Sequence, residues 1–278
     1  MPSAENWTPL EPDLQAVFAS CQEPLDALAE ARIPAAILRR AYDPAHCRGL
    51  IQRFIDQGLM RDPQGAASST ARTRIDIGTS LGNLGADREA FLQDAARTHE
   101  LFGHLFDGFD DPVETLYDAL ARLAAGRQVK VARESDGRLY GPAIFRVHYD
   151  SHAYKPHFDH VTLREKRFDY AVSRFEHQFA GVLCFQNADA TGRSTQAILH
   201  QCLWNPQIQP HIAEHTFHHY AVENQINSCR VELEPGDLYF FNTRCIHEVP
   251  AVQGENPRIV LAVFIGYSAD DEEIFVWS

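Results

Sequence analysis

The sequence predicts an α+β, mainly β fold. A double-stranded β-helix, or jelly roll, is expected over residues 128–278, and a mostly helical support region over residues 1–127, together forming one domain. Three observations carry this. The chain has 278 residues, enough for one sizeable core, and β domains of roughly 200–250 residues commonly stay undivided. From Gln128 onward, short apolar or alternating stretches are separated by turn-forming residues at the spacing of a sandwich or barrel. Before that point, apolar residues recur at three- and four-residue spacing, the period of a helix face.

In chain order, LQAVFASCQEPLDALAEAR and CRGLIQRFIDQGLM read as amphipathic helices, the second opened by Asp43 as N-cap with Pro44 at the first helical position. Between them, IPAAILRR is a strand candidate. Residues 61–85 are rich in Gly, Ser and Thr and read as a long loop, of the kind that often borders a site. Two further helices are expected at about 87–106 and 112–125, with Asp111 capping ahead of Pro112. The strand candidates of the core are VKVAR, AIFRVHY, FAGVLCF, TQAILHQCLW, DLYFFN and RIVLAVFIGYS. There is no internal repeat or low-complexity segment.

A formal net charge of −13 argues against a nucleic-acid surface, since phosphate contacts need clustered Lys and Arg. The longest apolar run, Ile259 to Gly266, is too short for a bilayer, which needs about 20 residues. Six cysteines lie far apart without a Cys-x-x-Cys pair, and the N-terminus does not read as a secretory signal. The expectation is a soluble cytoplasmic protein, monomer or homodimer, acting on a small molecule and not on nucleic acid or membrane.

The segment RVHYDSHAYKPHFDH, Arg146 to His160, holds two His-x-Asp pairs. On an extended segment His157 and Asp159 project to the same face, about 6–7 Å apart at Cα, within reach of one ion. Imidazole plus carboxylate suits a borderline divalent metal. A third ligand must come from a strand remote in sequence, and His247 follows a Pro235-Gly236-Asp237 turn and the strand Leu238–Asn242. Arg258 then leads the apolar strand IVLAVFIGY, where a lone guanidinium would want a carboxylate. Taken alone, a His-x-Asp pair is more often a solvated loop pair; together with His247 and Arg258 it describes a non-haem Fe(II) facial triad. The pair His148 and Asp150 has no later His to complete a site and is assigned to the strand leading in.

HYDSHAYKPHFDH resembles the segment carrying the first two iron ligands of collagen-type prolyl hydroxylases. A closer resemblance is to the freestanding alkaloid and nucleotide halogenases and their hydroxylase relatives. It rests on Arg146 eleven residues before His157, the run Trp204 to Gln207, the Pro-Gly-Asp strand, the distal His247 followed by Pro257-Arg258, and the final Trp-Ser. The resemblance covers most of residues 130–278 and, more loosely, the helical region. It implies the Fe(II)/2-oxoglutarate oxygenases, with a cupin-like core, His157, Asp159 and His247 on iron, and 2-oxoglutarate and O2 as co-substrates. Arg258 would hold the far carboxylate of 2-oxoglutarate, Arg146 the same acid or a structural salt bridge, and Tyr149 would line the pocket. Halogenating relatives carry Gly or Ala in place of the carboxylate ligand. Asp159 therefore implies hydroxylation, or another oxidation such as desaturation or cyclisation. After FQNADA this chain reads TGRSTQAIL where many relatives have a Gly-Gly-x-Leu turn.

Residues 160–178 carry Arg164, Lys166, Arg167 and Arg174 against an acidic background. As a solvated face this run says nothing; as a substrate cover it favours a carboxylate or phosphate on the substrate, such as an amino acid, an N-acyl amino acid or a nucleotide. His211, His215, His218 and His219 fit a surface loop or loose helical insertion better than a second metal site. Two rival readings remain: cupin-type chemistry without 2-oxoglutarate, and a non-catalytic metal-binding jelly roll.

Overall fold

A computed structural model describes residues 7–11, 23–63, 65, 72–188 and 196–278. Seven helices precede or interrupt twelve strands among these residues. The first is α1 (Pro24–Ala29), the described part of the first expected helix; residues 12–22 and the 191–195 part of TGRSTQAIL lie outside the described residues. β1 (Ala36–Leu38) falls within IPAAILRR. In α2 (Pro44–Asp56) the Asp43 carboxylate accepts from Ala45 N, the cap expected beside Pro44. α4 (Arg88–Leu105) and α5 (Pro112–Leu123) match the two later helices, and Asp111 caps α5 by accepting from the amides of Val113 and Glu114.

The expected loop at 61–85 holds two short elements, β2 (Arg74–Ile77) and α3 (Leu81–Leu84). Four residues are too few to show a period, and Ile75 and Ile77 are the whole of the apolar alternation. The described residues before 128 hold five helices and also give strands to the core: β1 pairs with β9 (Leu238–Asn242), and β2 with β4 (Ile144–His148).

The remaining strands are β3 (Gln128–Val131), β5 (Tyr154–His157), β6 (His177–Gln186), β7 (Ile198–Leu203), β8 (Ser228–Arg230), β10 (Cys245–Val249), β11 (Arg258–Tyr267) and β12 (Glu273–Trp277). They form a jelly roll of two sheets. The eight-stranded sheet runs β1-β9-β6-β11-β12-β3, with β4 beside the first half of β11 and β2 outside β4. The four-stranded sheet runs β5-β10-β7-β8. Helices α6 (Gln209–Ala213) and α7 (Phe217–Glu223) lie between β7 and β8.

Strand alternation decides what each face holds. On β4, Phe145 and Val147 point to the helical layer, and on β11 Ile259, Leu261 and Ile265 do the same. There they meet Leu50 and Phe54 of α2 and Leu116 and Leu120 of α5. Phe145 sits at the centre, with ring centroids 4.8 Å from Phe54 and 5.0 Å from Phe185. The opposite parity, Ile144, Arg146 and His148 with Arg258, Val260 and Ala262, faces the small sheet. The turn before β9 is pinned at Gly236, whose φ of +93 favours glycine and whose backbone packs against Tyr42 O. Asp237 holds Arg39 and the Arg40 amide, tying β1 to this turn.

Among the described residues no helix is long and apolar enough to cross a membrane. The five described cysteines, Cys47, Cys184, Cys202, Cys229 and Cys245, are unpaired, and Cys21 lies outside the described residues.

Candidate active site

A cavity of about 100 Å³ lies between the two sheets. β5 and β10 pair with His157 opposite His247, which brings two imidazoles that are 90 residues apart to a centroid distance of 4.2 Å. Asp159 follows just past β5. Its backbone is clamped by the fully buried Thr243, whose carbonyl accepts from Asp159 N at 2.9 Å and whose hydroxyl donates to Asp159 O at 2.8 Å. Asp159 Oδ2 stands 3.7 Å from His157 Nε2 and 3.5 Å from His247 Nε2.

Both rings are oriented alike. His157 Nδ1 donates to Lys155 O at 2.7 Å and His247 Nδ1 to Cys245 O at 2.8 Å. A carbonyl can only accept, so each Nδ1 carries the hydrogen and each Nε2 presents a lone pair to the centre. Burial, then the neighbouring His247, pushes the His157 imidazole down to about 4, so it is neutral near pH 7. Burial alone would raise the Asp159 carboxyl. The neighbouring His247 and His157 rings and the Arg164 guanidinium outweigh it and hold the group well below the usual carboxylate range. Two imidazoles and one carboxylate converge, and among the described residues no fourth His, Cys, Asp or Glu joins them. The second carboxylate oxygen, Oδ1, is taken by Arg164 Nη1, which also donates to Phe158 O at 2.8 Å. Phe158, of opposite parity, points away and stacks on Trp204 at 4.4 Å.

Arg258 enters the same cavity and is buried. Its Nη1 donates to His148 Nδ1 at 3.2 Å, and among the described residues it forms no ion pair. Because His148 Nδ1 accepts, its Nε2 carries the hydrogen and donates to Tyr154 OH at 3.1 Å. Arg146 Nη1 donates to the same hydroxyl at 3.4 Å. Tyr154 OH therefore accepts twice and keeps its own hydrogen free for a ligand in the cavity. Burial and the Arg258 charge hold His148 well below the ordinary imidazole range, neutral between two cations.

The structure thus brings together His157, Asp159, His247, Arg258 and Arg146. It does not bring Tyr149 to them. One residue beyond His148, Tyr149 has the other parity and faces the helical layer. Its hydroxyl there donates to Arg61 O and accepts from Arg61 N, under the Arg61 guanidinium at 3.8 Å. His148 and Tyr154 are cavity residues that sequence reasoning missed. His148 shares the parity of Arg146, a signal that was present; Tyr154 lies beyond a turn at Ser151 (φ +67), which resets the alternation. The cations of the 160–178 run are committed within the chain. Arg164 holds Asp159, Arg167 pairs with Glu165 and donates to Gly82 O, Lys166 donates to Leu163 O, and Arg174 pairs with Asp271 and Glu273.

The chain folds as a jelly roll around this cavity. It is similar to an N-substituted L-amino acid dioxygenase from Burkholderia ambifaria AMMD solved with α-ketoglutarate, at 12% identity over 92% of this chain and 90% of that chain, with a TM-score of 0.56. A second structure of that dioxygenase aligns at 14% identity over 91% and 90%, with a TM-score of 0.57. At such identities the likeness is one of fold. The model of the family described as carrier-protein-independent halogenase WelO5 matches residues 11–278, and the chain belongs to that family. No curated protein matches it in sequence.

Proposed function

We propose that this chain is an Fe(II)- and 2-oxoglutarate-dependent dioxygenase that hydroxylates an aliphatic C–H bond of a small molecule. The observation that carries the reading is the convergence of two Nε2 atoms and one carboxylate oxygen beside a buried arginine that has no ion pair among the described residues. The donor set fits iron(II): borderline nitrogen and hard oxygen on one side, with the other side left to co-substrates. Once bound there, iron(II) with 2-oxoglutarate and O2 supplies the oxidising chemistry, giving succinate, CO2 and one oxygen atom inserted into the substrate.

The residues of the chain do the rest. The backbone carbonyls of Lys155 and Cys245 hold both rings in the ligating tautomer. Arg164 occupies Oδ1 of Asp159, so Oδ2 is the oxygen that would face a bound metal. Arg258 pairs with the far carboxylate of 2-oxoglutarate, the free hydroxyl hydrogen of Tyr154 adds a donor, and Arg146 supplies a second positive charge against the dianion. Ile144, Val260, Ala262 and Phe264 form an apolar wall for an aliphatic body.

Hydroxylation is assigned over halogenation because Asp159 stands where halogenating relatives have Gly or Ala. The substrate class follows the sequence expectation of an amino acid, an N-acyl amino acid or a related natural-product intermediate. The dioxygenase sharing the fold acts on an N-substituted L-amino acid. The expectation of a carboxylate or phosphate on the substrate draws little support from the 160–178 run, whose Arg164, Arg167 and Arg174 are paired with carboxylates of the chain and whose Lys166 donates to Leu163 O. A cytoplasmic location is supported by the unpaired thiols; burial pushes those of Cys47, Cys184 and Cys245 up to about 12, so none is a ready thiolate.

The test is a screen of amino acids, N-acyl amino acids and nucleotides with Fe(II), 2-oxoglutarate and O2. Succinate release coupled to a product heavier by one oxygen supports the reading. Chlorinated product from the wild-type protein in chloride overturns the choice of hydroxylation. Tight metal binding with no succinate from any candidate overturns the enzyme.

A further inference from the structure

β10 has two faces, and the iron-binding reading uses only one. His247 faces the cavity; its neighbours Ile246 and Glu248 face the other way, towards α6 and α7. β7 alternates in the same manner: Leu199 lies opposite His247 on the inner side, while His200 points outward beside Glu248. Helix α7 closes over this outer face and contributes His218.

We propose that His200, His218 and Glu248 form a second divalent-cation site, separate from the cavity triad and suited to Zn²⁺. Glu248 Oε1 is 3.0 Å from His200 Nε2 and 2.8 Å from His218 Nε2, and all three donor atoms lie within 4.8 Å of one another. Donors about 2.1 Å from one tetrahedral ion lie about 3.4 Å apart, so a small widening of this cluster admits Zn²⁺. Two imidazoles and a carboxylate are a donor set zinc takes in proteins, with a water in the fourth position. That water has room: a separate cavity of about 280 Å³, lined by Ile212, His215, His218 and Glu248, opens beside the cluster.

Two of the three donors are pre-placed. His200 is buried with its ring edge-on to Phe217 at 5.0 Å, and Glu248 is 13% exposed, held in the sheet. His218 is 64% exposed and can adjust. A bound ion would cross-link α7 to β7 and β10, fixing the insertion between β7 and β8 on the outer wall of the active-site sheet. Tyr154 and Val249 line both cavities, so this wall is shared with the site of the proposed chemistry. The His211–His219 stretch thus does reach a metal site, although not by helical spacing within itself: His218 joins residues from two strands.

Equilibrium dialysis against ZnCl2 with metal analysis counts the sites. The wild-type protein is expected to hold two equivalents of Zn²⁺, His218→Ala one, His157→Ala one, and the double variant none. In the His157→Ala background Zn²⁺ should raise the melting temperature, and adding His218→Ala should abolish that shift. One equivalent in the wild type together with none in His157→Ala, or two equivalents retained by His218→Ala, overturns the second site. His218 is exposed, so loss of fold does not confound the count, and unchanged circular dichroism checks it. Failure here leaves the cavity triad untouched, because His157→Ala reports on that site separately.

Discussion

Replacing Arg258 with Met should move stability and co-substrate affinity in opposite directions. The guanidinium is buried, its hydrogen-bond partner among the described residues is a neutral imidazole, and it has no ion pair there. An uncompensated buried charge costs several kcal/mol in a dry interior and less beside an open cavity. Met keeps much of the volume, so the ligand-free variant should gain about 1 kcal/mol, a rise of roughly 2–4 °C in melting temperature. With 2-oxoglutarate the balance inverts. Losing a charge-assisted, two-pronged pair costs about 3 kcal/mol, which is roughly a 150-fold weaker Kd. Anaerobic thermal shift with Fe(II), with and without 2-oxoglutarate, reads both quantities. A ligand-free variant destabilised by several degrees would show that Arg258 has a structural partner, and a Kd within threefold of wild type would remove it from co-substrate binding.

Other perturbations separate the roles around it. Asp159→Gly opens a metal position and should cost more than the roughly 10–100-fold loss typical of an outer partner. With bromide or chloride supplied, halide should appear at the metal or in the product; hydroxylation at the wild-type rate would refute the ligand role. Arg164→Leu frees Oδ1 of Asp159 and should weaken Fe(II) binding about 10–100-fold, with Arg164→Lys recovering part of it; an unchanged Fe(II) titration contradicts the assignment. The His157 imidazole sits at about 4 against an unfolded value near 6.5. Between these values the unfolded chain binds more protons, so the metal-free protein should lose stability as pH falls from about 6.5 to 4, by up to about 3 kcal/mol. His148 is shifted in the same direction. Urea melts at pH 7 and 4.5 that give equal stabilities would refute this.

Much of the site was legible because strand geometry has a period of two. His157 and Asp159 declared a common face, and His247 and Arg258 lay on later strands that face the same space from opposite sheets. The same rule, applied from Arg146, puts His148 in the cavity and Tyr149 outside it, so that error was avoidable. Tyr154 was not readable, since a turn at Ser151 breaks the alternation before it. The partners of the 160–178 charge run are of two kinds: Asp159, Glu165 and Leu163 are close in sequence, whereas Gly82, Asp271 and Glu273 are brought near only by folding. In the first third, caps at Asp43 and Asp111 marked helix starts well, whereas β2 carried two isoleucines and little else to announce it.

The neighbouring residues His247 and Glu248 point to opposite sides of one strand, which makes frame a chemical variable. A one-residue insertion or deletion inside 245–248 would turn Glu248 inward and His247 outward, trading an imidazole for a carboxylate at the cavity while stripping the outer cluster of its acid. Length changes that natural descendants tolerate in this stretch should therefore collect at the exposed residues 253–256, beyond Val252, whose carbonyl accepts from Ser151 N and whose amide donates to His152 O.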